Sequence, residues 1–242
     1  PKPKEVKRED DVVGVDLGLS SFAVLSDGTR IEPPKPLAKK LRLLKRRSKQ
    51  FSHKQKGSNN SKKAALALAR LHRKVKNLRR DFLHKQTTWL ARTKPAIVVE
   101  DLNVRGLSRS WLSRSVADVG WGTFLRMLEY KAKWHGATLI VALRSFPSTR
   151  LCSRCGHLHG KMPLSQRVFR CEACGLERDR DLNAALNLKA YGLAHLTGPT
   201  ASSAGSHACG DPSGGGTALL GWPTSHGSLK QEVARHHRPL EG

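Results

Sequence analysis

The chain has 242 residues, 38% hydrophobic and 5% aromatic, enough for one ordinary domain with a smaller one attached and for a buried core. Lys and Arg number 44 against 19 Asp and Glu, a formal net charge of +25; such a chain needs a polyanion to screen its self-repulsion, with nucleic acid the first partner to consider and an anionic membrane the second. No apolar run is long enough to span a membrane, no apolar segment opens the sequence as a secretory signal, and four of the five cysteines form two CxxC pairs, which together exclude a membrane protein, a secreted disulfide scaffold and an acidic disordered chain and point to a reducing, cytoplasmic setting.

Residues 1–10 are charged, contain proline and read as a linker. The apolar run Val12 to Leu17 predicts a buried strand, and Phe22 to Leu25 a second. Between the latter and Arg30-Ile31, "SDGT" carries the Asp-Gly signal of a hairpin.

From Lys35 to Lys85 there are 19 Lys or Arg and one acid, Asp81. Leu37, Leu41 and Leu44 fall at helical spacing, as do Leu68, Leu71, Val75, Leu78 and Phe82, and "GSNNS" at 57–61 breaks between them. The pattern predicts a basic helical hairpin. A solvated helix pair accounts for the leucines but not for charges of one sign, because exposed helices ordinarily mix signs for pairing along the helix. A nucleic-acid-facing surface accounts for both.

"AIVVEDLNV" (96–104) reads as a strand ending at two acids, Glu100 and Asp101. A helix is expected from about Val119 to His135, stopped by Gly136, then a strand from Ala137 to Leu143. A short helix is expected from about Arg180 to Tyr191, with Gly192 as its stop. From about His195 the sequence is rich in Gly, Ser, Thr and Pro without periodicity and is expected to be disordered.

The sharpest local signal is Cys152-x-x-Cys155, fifteen intervening residues, then Cys171-x-x-Cys174, each pair followed by glycine. Two such turns direct four thiolates to one point, the pattern of a closed structural zinc site. A redox CxxC explains one pair but not two matched ones. Iron suits the same ligands; zinc is the default. Cys209 lies outside the pattern, and His157 and His159 are spare candidates.

The second signal is distributed. Asp16 ends one apolar strand, Glu100 ends another, and Asp181 begins a helix. Singly, these read as a turn acid, an edge acid and a helix cap. Jointly they are poorly placed unless something positive neutralises them. Converging with Mg²⁺ or Mn²⁺ they make a two-metal site for phosphodiester hydrolysis. Asp101 should leave the opposite face of its strand. Asp179 is the better candidate for the residue that starts the helix, and Asn183 either hydrogen-bonds the cluster or is an ordinary surface amide.

At these residues the sequence resembles a known family. "GVDLGLSSFAVLSDG", "KPAIVVEDLNVRGL", "FPSTRLCSRCG" and "FRCEACGLERDRDLNAALNL", with "HACG" and "SLKQE" in the tail, are similar to the C-terminal part of TnpB (OrfB-type) proteins, transposon-encoded RNA-guided nucleases related to type V CRISPR effectors. The resemblance implies an α/β, RNase H-like (RuvC) nuclease domain with an inserted basic helical hairpin, an inserted four-cysteine zinc ribbon and a disordered C-terminal tail. It implies a catalytic triad of Asp16, Glu100 and Asp181 holding Mg²⁺ or Mn²⁺, structural Zn²⁺ on Cys152, Cys155, Cys171 and Cys174, and DNA and guide RNA as partners. Arg178 and Arg180 would lie near the cleaved strand. The expected division is a linker at 1–10, RuvC pieces at 11–34, 94–147 and 179–193, the basic insert at 35–93, the ribbon at 148–178 and the tail at 194–242.

Full-length members carry a further N-terminal part that binds the guide and reads the motif beside the target. Here Asp16 comes almost at the start, so a truncated product, a fragment or a partnership with a separately encoded N-terminal half is expected. A non-catalytic nucleic-acid-binding remnant is the alternative from another class. A stand-alone junction resolvase fits the fold but leaves the ribbon unexplained.

Overall fold

A computed structural model of the chain describes residues 2–163 and 165–197. The tail from residue 198 onward, with Cys209, "HACG" and "SLKQE", lies outside the described residues.

The centre is a five-stranded mixed sheet in the order β3-β2-β1-β4-β5. Its strands are β1 (Val12–Leu17), β2 (Ala23–Leu25), β3 (Arg30–Ile31), β4 (Ala96–Glu100) and β5 (Thr138–Ala142). The hairpin signal is realised: β1, β2 and β3 run antiparallel, with Val15 opposite Leu25. β1 and β4 are parallel, as are β4 and β5. The helices are α1 (Pro36–Ser52), α2 (Asn59–Thr93), α3 (Val104–Leu107), α4 (Ser113–Val119), α5 (Trp121–His135) and α6 (Arg180–Thr197). A small two-stranded sheet, β6 (Val168–Arg170) with β7 (Glu177–Asp179), stands apart from the main one.

Side chains alternate across a strand, and here the two faces bury different partners. Val13, Val15, Leu17, Ile97 and Val99 meet α2 and α5 through Leu83, Leu90, Phe124 and Leu128. Val12, Ala96, Val98 and Ile140 meet Leu188 of α6. Each of Leu83 and Leu90 is completely buried, worth about 1.5–3 kcal/mol apiece. The second half of α2 is therefore core, while its first half meets mainly α1 and leaves its lysines and arginines in solvent.

Two glycines bear on the sequence reading. Gly192 does not stop α6, which continues to Thr197 and so takes in residues 194–197 of the expected tail. A Cβ at Gly192 would collide with the Val98 side chain, so this glycine serves close packing of helix on strand. Gly120, with φ of 78°, separates α5, the helix expected from about Val119, from α4, a short helix in the stretch before it that the sequence pattern does not announce. That left-handed conformation suits glycine and ends the first helix. The strand after Pro95 ends at Glu100, the first of the two acids at which the sequence places its end, and α3 follows from Val104.

The N-terminus of α1 has a non-local cap. Lys35 precedes it and offers no capping oxygen. Instead Asp118, buried at the end of α4, accepts the backbone N–H groups of Leu37 and Ala38, both at 3.0 Å, and pairs with Arg79 of α2 at 3.2 Å. One carboxylate thus ties three helices. Buried Lys131 of α5 pins α2 in the same manner, donating to the Thr87 and Thr88 hydroxyls and the His84 carbonyl. Residues 2–8 have no regular structure but are docked: the Lys4 ammonium reaches the carbonyls of Ala91 and Arg92 at the end of α2. Among the described residues no helix is long and apolar enough to cross a membrane.

Candidate active site and metal centre

Val15 of β1 is the register partner of Val99 of β4. The next residue on each strand is an acid, Asp16 and Glu100, so both leave the carboxyl ends of adjacent parallel strands. By the two-residue period both project to the side that α6 covers. The helix can approach there because residue 14 is glycine: a Cβ would collide with the Ala185 carbonyl and the Lys189 amide. α6 starts beside these strand ends and brings Asp181. Asp16, Glu100 and Asp181 line one cleft of about 330 Å³, with Arg167 and Arg180 on its walls.

The helix-capping duty falls to Asp179, as the sequence suggested. Its Oδ1 accepts the N–H groups of Asp181 at 3.1 Å and Leu182 at 3.0 Å, and it pairs with Arg30. Asp181 is thereby free to face the cleft, in the first turn where the helix dipole favours negative charge. Asp101 turns away and pairs with Arg144 at 2.8 Å. Arg178 is not at the cleft; it donates to the Ser153 hydroxyl. Arg180 is, and its guanidinium also holds the carbonyls of Pro163 and Gln166.

Asp16 is only 7% exposed and accepts no hydrogen bond from another described residue. Burial, then the carboxylates of Glu100 and Asp181, push its carboxyl well above the usual range, against a smaller pull from Arg180. A buried acid facing two others with so little compensation is a site that fits added positive charge.

Sequence reasoning missed the residues that hold these acids in place. Ser148 donates its hydroxyl to Glu100 at 2.8 Å. Asn187 Nδ2 holds the carbonyls of Ser148 and Leu151, both at 2.7 Å. Asn183 was expected either at the acid cluster or on the surface and is at neither. It is fully buried, donating to the Leu151 carbonyl and accepting the Ser153 N–H. Two asparagines one turn apart on α6 thus clasp residues 148–153, where the cysteine-bearing segment begins.

That segment repeats one turn twice. The Cys152 N–H reaches the His157 carbonyl and the Gly156 N–H returns to Cys152; the Cys171 N–H reaches Leu176 and the Gly175 N–H returns to Cys171. Gly156 and Gly175 take φ of 74° and 70°, which explains the glycine after each pair. The four sulfur ligand atoms lie within 4.8 Å of one another, the one such compact group among the described residues. Sγ separations are 3.7 Å for Cys152–Cys174 and 3.6 Å for Cys155–Cys171. A tetrahedron with 2.3 Å zinc–sulfur bonds has edges of about 3.8 Å, so the quartet fits a metal such as zinc. Burial opposes ionisation of Cys171, but a hydrogen bond with His159 and the N–H groups of Cys174 and Ala173 outweigh it and bring the thiol down to about 5. His159 therefore touches the quartet from outside, at 3.4 Å from the Cys171 sulfur.

Residues 1–110 match the family OrfB_IS605, described as "Probable transposase", and residues 121–188 match "Cas12f1-like, TNB domain". In sequence the chain is similar to the TnpB (OrfB-type) proteins. It is 41% identical over 224 residues to the "Putative RNA-guided DNA endonuclease" of Streptomyces pristinaespiralis, covering 92% of this chain and 52% of that protein. InsQ of Escherichia coli (strain K12), under the same description, is 37% identical over 229 residues, covering 88% and 54%. The chain spans about half the length of these curated relatives. In fold it is similar to a chain of the "Cryo-EM structure of the Cas12f1-sgRNA-target DNA complex", with a TM-score of 0.54 and 17% identity over 77% of this chain and 51% of that one.

Proposed function

We propose that the chain is the DNA-cleaving part of a TnpB-type RNA-guided DNA endonuclease. Asp16, Glu100 and Asp181 are its catalytic residues, and Mg²⁺ or Mn²⁺ its cofactor. The observation that carries this reading is the shared cleft: acids from two adjacent strand ends and one helix start, with Asp16 buried against the other two. Divalent cations bound there supply the positive charge that activates water and steadies the leaving oxygen. The protein's own contribution is to hold three carboxylates at fixed positions, exclude bulk water with Leu17, Leu112 and Trp121, and steady phosphate with Arg167 and Arg180.

In this reading the main sheet with α6 is an RNase H-like (RuvC) nuclease assembled from pieces 11–34, 94–147 and 179–193. The insert 35–93 tracks nucleic-acid backbone, and the ribbon 148–178 holds structural zinc. DNA and a guide RNA are the partners; the relatives' names and the guide–target complex of the structural neighbour support this. Nothing in the cleft favours the non-catalytic alternative.

The test is cleavage of guide-matched DNA by the chain supplied with a TnpB-type N-terminal part and guide RNA in trans. Asp16→Ala, Glu100→Ala and Asp181→Ala should each abolish Mg²⁺-dependent cleavage and leave DNA binding intact. Double variants should lose no more than single ones, because such a site acts as a unit. Cleavage at the unaltered rate by Asp16→Ala removes the assignment.

A further inference from the structure

Only part of the cleft wall is acidic. Leu17, Leu19, Leu112, Trp111 and Trp121 also line it. In a chain with five tryptophans, two meet at the acids, and their states are opposite. Trp111, in the connection between α3 and α4, is 87% exposed and makes no ring contact or hydrogen bond with another described residue. Its packing contributes nothing to the core, yet a large apolar ring held in water is unfavourable. Trp121, at the start of α5, is only 4% exposed, and its indole Nε1 is buried without a hydrogen-bond partner. An indole N–H left so costs about 1–3 kcal/mol and calls for an acceptor.

An exposed ring that lines the same cleft as Arg167, Arg180 and the three acids has the composition of a nucleotide subsite: a face for the base and charged groups for the phosphate. A base inside a duplex is already stacked on both sides, so an indole can accept only an unpaired one. Stacking needs no particular base, because each has a π-face.

We propose that Trp111 is the stacking platform for a base of a single DNA strand entering the cleft. The inference rests on reading the cleft as the DNA-cleaving site and adds to it the residue that grips the strand by a base. Trp111 sets where the strand lies along the three carboxylates, while Arg167 and Arg180 meet its phosphates. Reading no sequence, the subsite leaves selection of the target to other parts.

The test is binding of the full chain, in EDTA and at one salt concentration, to a short single-stranded thymidine oligonucleotide. An abasic oligonucleotide of equal length and charge is the control. Trp111→Ala should weaken thymidine binding about tenfold and leave abasic binding unchanged. Trp111→Phe should restore most of the loss while removing the quench of tryptophan emission that the thymidine strand causes. Because Trp111 is exposed, neither change disturbs packing. Equal weakening on both oligonucleotides, or none on either, overturns the proposal. The measurement needs no cleavage, so its failure is distinct from that of the nuclease reading, which rests on Asp16→Ala in the cleavage assay.

Discussion

Ser148 donates its hydroxyl to Glu100, and the carbonyl of the same Ser148 is held by Asn187. A buried amide two turns into α6 therefore fixes the orientation of an acid on β4, through one serine. Groups that orient metal ligands typically change metal affinity or activity 10–100-fold when removed. Ser148→Ala should lower cleavage by about that factor at limiting Mg²⁺ and recover at high Mg²⁺, since Glu100 itself remains. A Mg²⁺ titration of the initial cleavage rate checks this. A loss independent of Mg²⁺ would mean that Ser148 acts in some other way.

The cysteine quartet should hold one zinc per chain, and metal analysis of purified protein reads this directly. Cys171→Ser should lower occupancy. Since metal binding is part of the folding free energy of so small a sheet, it should also raise amide exchange across residues 148–179. Exchange in α2 and α5 should stay put, because their core at Leu83, Leu90 and Phe124 lies on the other face of the main sheet.

Salt dependence tests the basic hairpin. Deleting it is the wrong experiment, because Leu83, Leu90 and Ala91 are fully buried and the fold would go with them. Replacing exposed Lys45, Arg46, Arg47 and Lys49 by Glu leaves the core alone. Each phosphate contact so lost should reduce the slope of log affinity against log salt by about 0.9 on duplex DNA. An unchanged slope would make this face of α1 an ordinary solvated one.

Asp118 should prove a stability residue. Asp118→Ala orphans two backbone N–H groups of α1 and removes the partner of Arg79. A lost cap together with a lost charged hydrogen bond costs about 2 kcal/mol, a shift of several degrees in Tm. Thermal melts read it, and Asp118→Asn should retain part of the effect as an acceptor.

What could be read in the sequence was whatever rests on near neighbours in the chain. β1 showed itself as an apolar run, Asp16 and Glu100 as acids closing such runs, and the quartet as matched spacing. What could not be read rests on pairs distant in sequence. Nothing local distinguishes Asn183 and Asn187 from surface amides, because their partners lie at 148–153. Asp118 looked like any helix acid, since the helix it caps begins at Pro36. Gly192 resembled a stop because helix-ending glycine is common; its true reason is Val98 on a strand far back in the chain. Trp111 offered no periodicity at all, and only its place at the cleft gives it meaning.

The last prediction concerns the cost of keeping Asp16 where it is. In metal-free protein its carboxyl titrates well above its ordinary 3.8, from burial first and then from Glu100 and Asp181. Between 3.8 and that raised value the folded chain binds more protons than the unfolded one. Stability must then fall as pH rises through this window. The favourable contribution of the protonated acid is complete below the window and is lost above it, where an ionised Asp16 sits beside two carboxylates. Asp16→Asn keeps the shape and removes the charge. In EDTA at neutral pH it should melt higher than the parent chain, and the two should converge as pH approaches 4. Adding Mg²⁺ should raise the parent's Tm and move the Asn variant less, because it lacks the charge that draws the cation. Melting curves from pH 4 to 8, with EDTA and with Mg²⁺, settle the matter. A variant less stable than the parent at neutral pH without metal would mean that Asp16 serves the fold and not the cleft.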